Sequence, residues 1–167
     1  MTDEIKALLT KLATLKILDE KEWNSVYGPD GNRSASPAYS HFVKSNAAAQ
    51  QTVMAALKAA GYPVMEYCIR GEAPNGVEHY AIDDAIKNEF GDHVIVDSEQ
   101  GQLFIYASEK VCETVLSRVQ EMVGEGTVTL YSGDSYPAWV EMEQDSDLQV
   151  AAIGSWTSAH AWLKANS

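Results

Sequence analysis

Four carboxylates fall on every second position of EMEQDSDLQ, residues 141–149: Glu141, Glu143, Asp145 and Asp147. In an extended chain, side chains two residues apart share a face at intervals of about 7 Å, so this comb presents a row of negative charge. Like charges in a row are mildly unfavourable unless water or a partner's cations meet them. Two readings follow: a docking edge for a basic surface, or the solvated face of a strand. A turn at Gln144 would keep Glu141 and Glu143 on the strand and send Asp145 and Asp147 into a turn or a helix start. A calcium loop beginning at Glu143 fails twice, because Leu148 stands where the turn needs glycine and Gly154 where a closing glutamate belongs. Aromatic neighbours favour docking. Trp139 falls on the polar side of the strand predicted over YPAWVEME, 136–143, and Tyr136 opens that strand. Interface anchors are enriched in both residue types, with carboxylates at the rim. The expected partner-binding residues are therefore Tyr136, Trp139, Glu141, Glu143, Asp145 and Asp147.

Covalent and metal chemistry find less support. Cys68, His79 and Asp83 have the types of a nucleophile, a base and an orienting acid, but types alone supply no geometry. Cys68 alternates within an apolar strand and Cys112 lies on the apolar stripe of a helix, which suits small core residues. GDSYP around Ser135 is not a nucleophile elbow. His41, His79, His93 and His160 are scattered. His79 and Asp83 are one helical turn apart, yet two ligands are too few for a zinc site. No Walker A or dinucleotide fingerprint follows a predicted strand. Phe104 and Tyr106 alternate in QLFIYA as stacking aromatics do in RNA-recognition modules, but the basic and glycine residues of such a strand are missing. The expectation is a non-enzymatic protein with no metal and no cofactor.

Charge points to the class of partner. The chain has 24 acids and 12 bases, a net −12, of which residues 1–83 carry −2 and residues 84–167 carry −10. Such a field repels phosphate backbones and anionic membranes and speeds encounter with cations. Two cysteines are too few for a disulfide framework, no apolar run is long enough to span a bilayer, and MTDEIKALLTKLATLKILDE reads as a helix, not a signal peptide. A cytoplasmic setting is expected.

These residues must be positioned by a mixed fold. Ile5, Leu8, Leu9, Leu12, Leu15 and Leu18 recur at helical spacing behind a cap at Thr2 or Asp3. A second helix is predicted from Pro37, after Ser36, to Ala60, burying Tyr39, Phe42, Val43, Val53, Met54 and Leu57. From Pro63 the rhythm changes to strands over 64–70, 93–98, 102–107 and 127–132, with helices over 78–90 and, capped by Ser108, over 111–122. The order β-α-β-β-α-β is that of ferredoxin-like sandwiches. The fold class expected is α+β in a single domain: an N-terminal helical pair over 1–62, a ferredoxin-like core over 63–132, and an acidic, aromatic extension over 133–167. That extension is read as strand and helix, with LQVAAIGSW as a further strand and Thr157 capping the final helix, or as one helix from Ser146. The function expected is neutralisation of a basic protein partner, as by an immunity protein or an inhibitor of a nuclease-type toxin. The alternative is a small-molecule-sensing regulatory domain on the same sheet.

Overall fold

The N-terminal periodicity becomes α1, Asp3–Tyr27. Thr2 is its cap, its Oγ1 accepting from the Ile5 amide at 3.2 Å, and Asp3 and Glu4 place negative charge at the positive end of the helix. Leu9, Leu12 and Ala13 are fully buried and Lys16 nearly so. Leu18, expected on the same stripe, is exposed instead. Nine residues at 100° each put it half a turn away from Leu9. The computed structural model describes residues 1–28, 37–132, 150–153 and 155–167.

Helix α2 runs Pro37–Ala59 and packs on α1. It buries Val53, Met54 and Leu57 as expected, but Val43 is exposed while Asn46 and Gln50 are buried. The polar pair is bonded in part: Asn46 Nδ2 donates to the Leu15 carbonyl at 3.1 Å and Gln50 Nε2 donates to Asn46 Oδ1, while the buried Gln50 Oε1 has no partner among the described residues. Helix α5, Trp156–Ala165, also packs against α1, and Trp162 Nε1 donates to Thr10 Oγ1 at 3.1 Å. Its cap is Ser155, not Thr157. Ser155 has extended backbone and forms a capping box with Ser158, their reciprocal amide-to-hydroxyl bonds measuring 3.0 and 2.8 Å. The strand expected over LQVAAIGSW is replaced at Ala151–Ile153 by a single 3-10 turn. These helices form one compact unit, Met1–Tyr62 with Ala152–Ser167.

Residues Pro63–Ala151 form the second unit. Its helices and strands among the described residues are β1 (Met65–Glu72), α3 (His79–Phe90), β2 (Val94–Val96), β3 (Gln102–Ser108), α4 (Cys112–Val123) and β4 (Val128–Ser132). All four strands lie in one antiparallel sheet ordered β2-β3-β1-β4, so the chain is α+β. Ile69, Leu103, Ile105, Val94 and Val128 point to one face, where α3 contributes Ile82 and Ile86 and α4 contributes Cys112, Val115, Val119 and Val123. Alternation sends Cys68 and Tyr106 to the other face with Met65. Met65 and Cys68 share that face despite their odd spacing because the pairing shifts by one between Met65 and Tyr67. Arg118 bridges the helices, its Nε 2.8 Å from Glu89 Oε2 on α3 and its Nη1 2.6 Å from Glu121. Among the described residues no helix is long and apolar enough to cross a membrane.

One predicted cap in this unit is corrected. Helix α4 starts from Val111 with no side-chain cap, and Ser108 remains in β3, paired with Met65 across the sheet. Its buried hydroxyl lies 2.9 Å from His93 Nδ1.

Candidate functional site

Tyr136, Trp139, Glu141, Glu143, Asp145 and Asp147, with the whole acidic comb, lie outside the described residues. The second unit nevertheless has an acidic feature of its own, at one end of the sheet. There β1 and β2 finish, β3 and β4 begin, and α3 starts. The segments that meet at this end, 71–79, 97–102 and 124–128, contain Glu72, Glu78, Asp97, Glu99 and Glu125 and neither lysine nor arginine. All five carboxylates are exposed.

The sequence assembles this end through a tight hairpin. Glu99 and Gln102 exchange both backbone bonds, at 3.0 and 2.8 Å, around Gln100 and Gly101. Both turn residues have positive φ, 51° and 80°, as a type I′ turn demands. Gln102 Nε2 then donates to Glu72 Oε1 at 2.9 Å, which holds that carboxylate beside Gln102. The Gly101 carbonyl accepts from the Ala73 amide at 2.7 Å. An open depression of about 610 Å³ lies alongside, lined by Gly71, Glu72, Ala73, Pro74, Asn75 and Thr127. Gly71 is required there, since a Cβ would overlap the Thr127 carbonyl oxygen of the adjacent strand.

Asp83 and His79 tie α3 to the same hairpin. Ser98 Oγ donates to Asp83 Oδ1 at 2.6 Å and accepts from the Phe104 amide at 3.1 Å, while the Ser98 amide donates to Asp83 Oδ2 at 3.2 Å. Burial raises the Asp83 pKa above the ordinary aspartate value, outweighing the Ser98 bonds and the His79 charge, which pull it down. His79 Nδ1 accepts from the Gly101 amide at 3.3 Å.

This arrangement does not make a catalytic triad. Cys68 faces away from α3, on the opposite side of the sheet from His79 and Asp83, and is fully buried. Ser98 spends its proton on Asp83, and the acceptor nitrogen of His79 is occupied by Gly101. These groups form a clamp that fixes the hairpin bearing Asp97 and Glu99. Cys112 packs in the helical face of the core, and burial pushes its thiol pKa up. Tyr106 is buried at 2 % exposure and offers no ring face for base stacking, while Arg70 lies over Phe104, 4.8 Å from its centroid. Among the described residues, no three His, Cys, Asp or Glu side chains gather as a metal site.

Dividing the charge by structural unit sharpens the contrast. Residues 63–151 hold 18 acids and 4 bases, a net −14, whereas residues 1–62 with 152–167 hold 6 acids and 8 bases, a net +2. Lys87 and Lys110 belong to the end of the sheet remote from the hairpin, where Lys87 Nζ bonds the Gly91 and Val94 carbonyls at 3.0 and 3.2 Å. Ser98 was missed by sequence reasoning, which placed it inside a strand; its only signal was the SEQGQ turn beside it. No family model, curated protein or solved structure matches the chain.

Proposed function

We propose that the Pro63–Ala151 unit is a ferredoxin-like sandwich that docks a basic protein surface, and that the protein is a non-enzymatic, cytoplasmic inhibitor of that partner. An immunity protein against a nuclease-type toxin is the example whose chemistry fits, because a nuclease must be basic where it holds phosphates. The β-α-β-β-α-β order with strand sequence β2-β3-β1-β4 supports the fold reading. The observation that carries the functional reading is the charge division: −14 on one unit, with five exposed acids and no lysine or arginine in the segments at one end of its sheet. Such an end steers a cationic partner and orients it before contact. The acidic comb and Trp139, which lie outside the described residues, are proposed as partner-binding residues on the strength of the sequence.

The test is capture of the partner from the native source, followed by stopped-flow association with the purified partner. Lysine at both Glu72 and Glu99 is expected to slow association about tenfold or more at low salt, and raising the salt is expected to remove the difference. Lysine at Glu141 and Glu143 is expected to act in the same way, whereas Trp139→Ala hastens dissociation. A captured partner whose association is unchanged by both lysine pairs across ionic strengths refutes the reading.

A further inference from the structure

Six asparagines occur in the chain, and Asn75 is the one that glycine follows. Asn75 and Gly76 are the middle residues of an exposed turn between β1 and α3, closed by the Val77 amide, which donates to the Pro74 carbonyl at 3.0 Å. Gly76 has a φ of 85° while Asn75 takes no positive value, the pattern of a type II turn. The amide at that third position points out of the turn. Among the described residues neither it nor the Asn75 carboxamide forms a hydrogen bond. Glycine also puts no side chain beside that nitrogen, and a Cβ built there would meet nothing within 4 Å, so its surroundings are open. The other asparagines are held differently. Asn24 and Asn88 lie inside α1 and α3, where the amide that follows each is committed to the helix. Asn46 has its side chain bonded to the Leu15 carbonyl and to Gln50, and Asn166 donates to the Trp162 carbonyl at 2.9 Å. Asn32 lies outside the described residues.

We propose that Asn75 is a site of self-modification, at which the Gly76 amide nitrogen displaces ammonia from the Asn75 side chain and water then leaves a carboxylate. The nitrogen gives its proton to solvent base and attacks Asn75 Cγ. A bond from nitrogen to Cγ forms, the bond from Cγ to the side-chain nitrogen breaks, and that nitrogen leaves with a proton as ammonia. Nucleophile and target belong to adjoining residues, so the step is intramolecular and closes a five-membered succinimide ring. Water then opens the ring at one of its two bonds to nitrogen. Attack at Cγ gives aspartate, and attack at the main-chain carbonyl gives isoaspartate. The sum is asparagine and water going to a carboxylate and ammonium, with nothing oxidised or reduced. Ring closure needs rotation about the Asn75 Cα–C bond, and the Val77 bond is what resists it. One bond of ordinary net strength slows the reaction about tenfold relative to a free chain. Asn75 lines the depression beside Glu72, so the new charge falls at the acidic end of the sheet. The reaction needs no partner and stands whether or not that end docks one.

The test is ageing of the purified full chain at neutral pH and body temperature. Trypsin then releases residues 71–87, which contain no other asparagine. That peptide is expected to gain about 1 Da and to separate into aspartyl and isoaspartyl forms. Ageing in water enriched in oxygen-18 should leave one heavy oxygen on the product. Conversion in the native chain is expected within about tenfold of the rate in the free 71–87 peptide, and about tenfold or more faster than at Asn24 or Asn88. The intact chain should elute later on anion exchange in step with the mass gain. Asn75→Gln is expected to remove the gain, because the longer side chain would have to close a six-membered ring. No gain in a native chain whose free peptide converts, aspartate without isoaspartate, or an equal gain at Asn24 and Asn88 overturns the proposal.

Discussion

Replacing Ser98 with alanine removes one hydroxyl that serves two neighbours. Asp83 loses its 2.6 Å donor, and the Phe104 amide loses its acceptor at 3.1 Å. A bond to a charged group contributes roughly 1.5–3 kcal/mol and a neutral one about 0.5–1.5. Asp83 is half-buried, so water replaces part of the first, and its 3.2 Å bond from the Ser98 amide survives. The expected cost at neutral pH is about 2–3 kcal/mol, read as a lower urea midpoint with unchanged slope. Acidification should shrink it. Asp83 holds its proton more tightly folded than unfolded, so its contribution to stability is full below the ordinary aspartate value and is lost as pH rises through the raised folded value. The Ser98 bonds pull that folded value down, so removing the hydroxyl lifts it further. The variant is therefore most impaired where Asp83 is ionised and recovers as pH falls toward about 4, by about 1.4 kcal/mol for each tenfold gain in proton affinity. Hydrogen exchange at the Phe104 amide gives an independent readout, and its protection should fall. A cost below about 0.5 kcal/mol, or one that grows on acidification, refutes the clamp.

Gly71→Ala should force β1 and β4 apart, since the new methyl would overlap the Thr127 carbonyl and come within 2.8 Å of Val128 Cγ1. The expected cost is about 2–3 kcal/mol, with exchange protection lost first over Val128–Ser132; a change under about 0.5 kcal/mol would refute the close approach. Cys68 is fully buried and Cys112 is 5 % exposed with its thiol pKa raised, so both should react with a disulfide reagent on the order of 100-fold more slowly than in urea. Fast labelling of Cys68 in the native protein would return it to consideration as a nucleophile.

Local order in this chain was readable because it is written in periods. Alternation in 64–70, 93–98, 102–107 and 127–132 marked four strands, and they lie in one sheet. A cap at Thr2 or Asp3 was readable and proved to be Thr2, and glycines 91 and 124 were readable as helix stops, because each acts within one turn of its own helix. Tertiary structure decided what depends on distant partners. A period of 3.6 residues says that a helix has an apolar side but not how wide that side is, so Leu18 was assigned inward while Lys16, Asn46 and Gln50 took buried places. Ser108 could cap or continue a strand, and its pairing with Met65 chose the strand. Asp83 and Ser98 are fifteen residues apart, and Trp23 and Trp156, with ring centroids 6.5 Å apart, come from the two ends of the chain; neither pair shares a local period. The charge shows the difference most plainly. Counted along the chain it divides as −2 and −10, but because α5 returns to pack on α1, the described residues divide by unit as +2 and −9. Composition sets the sum of the charges, and only folding sets which of them act together.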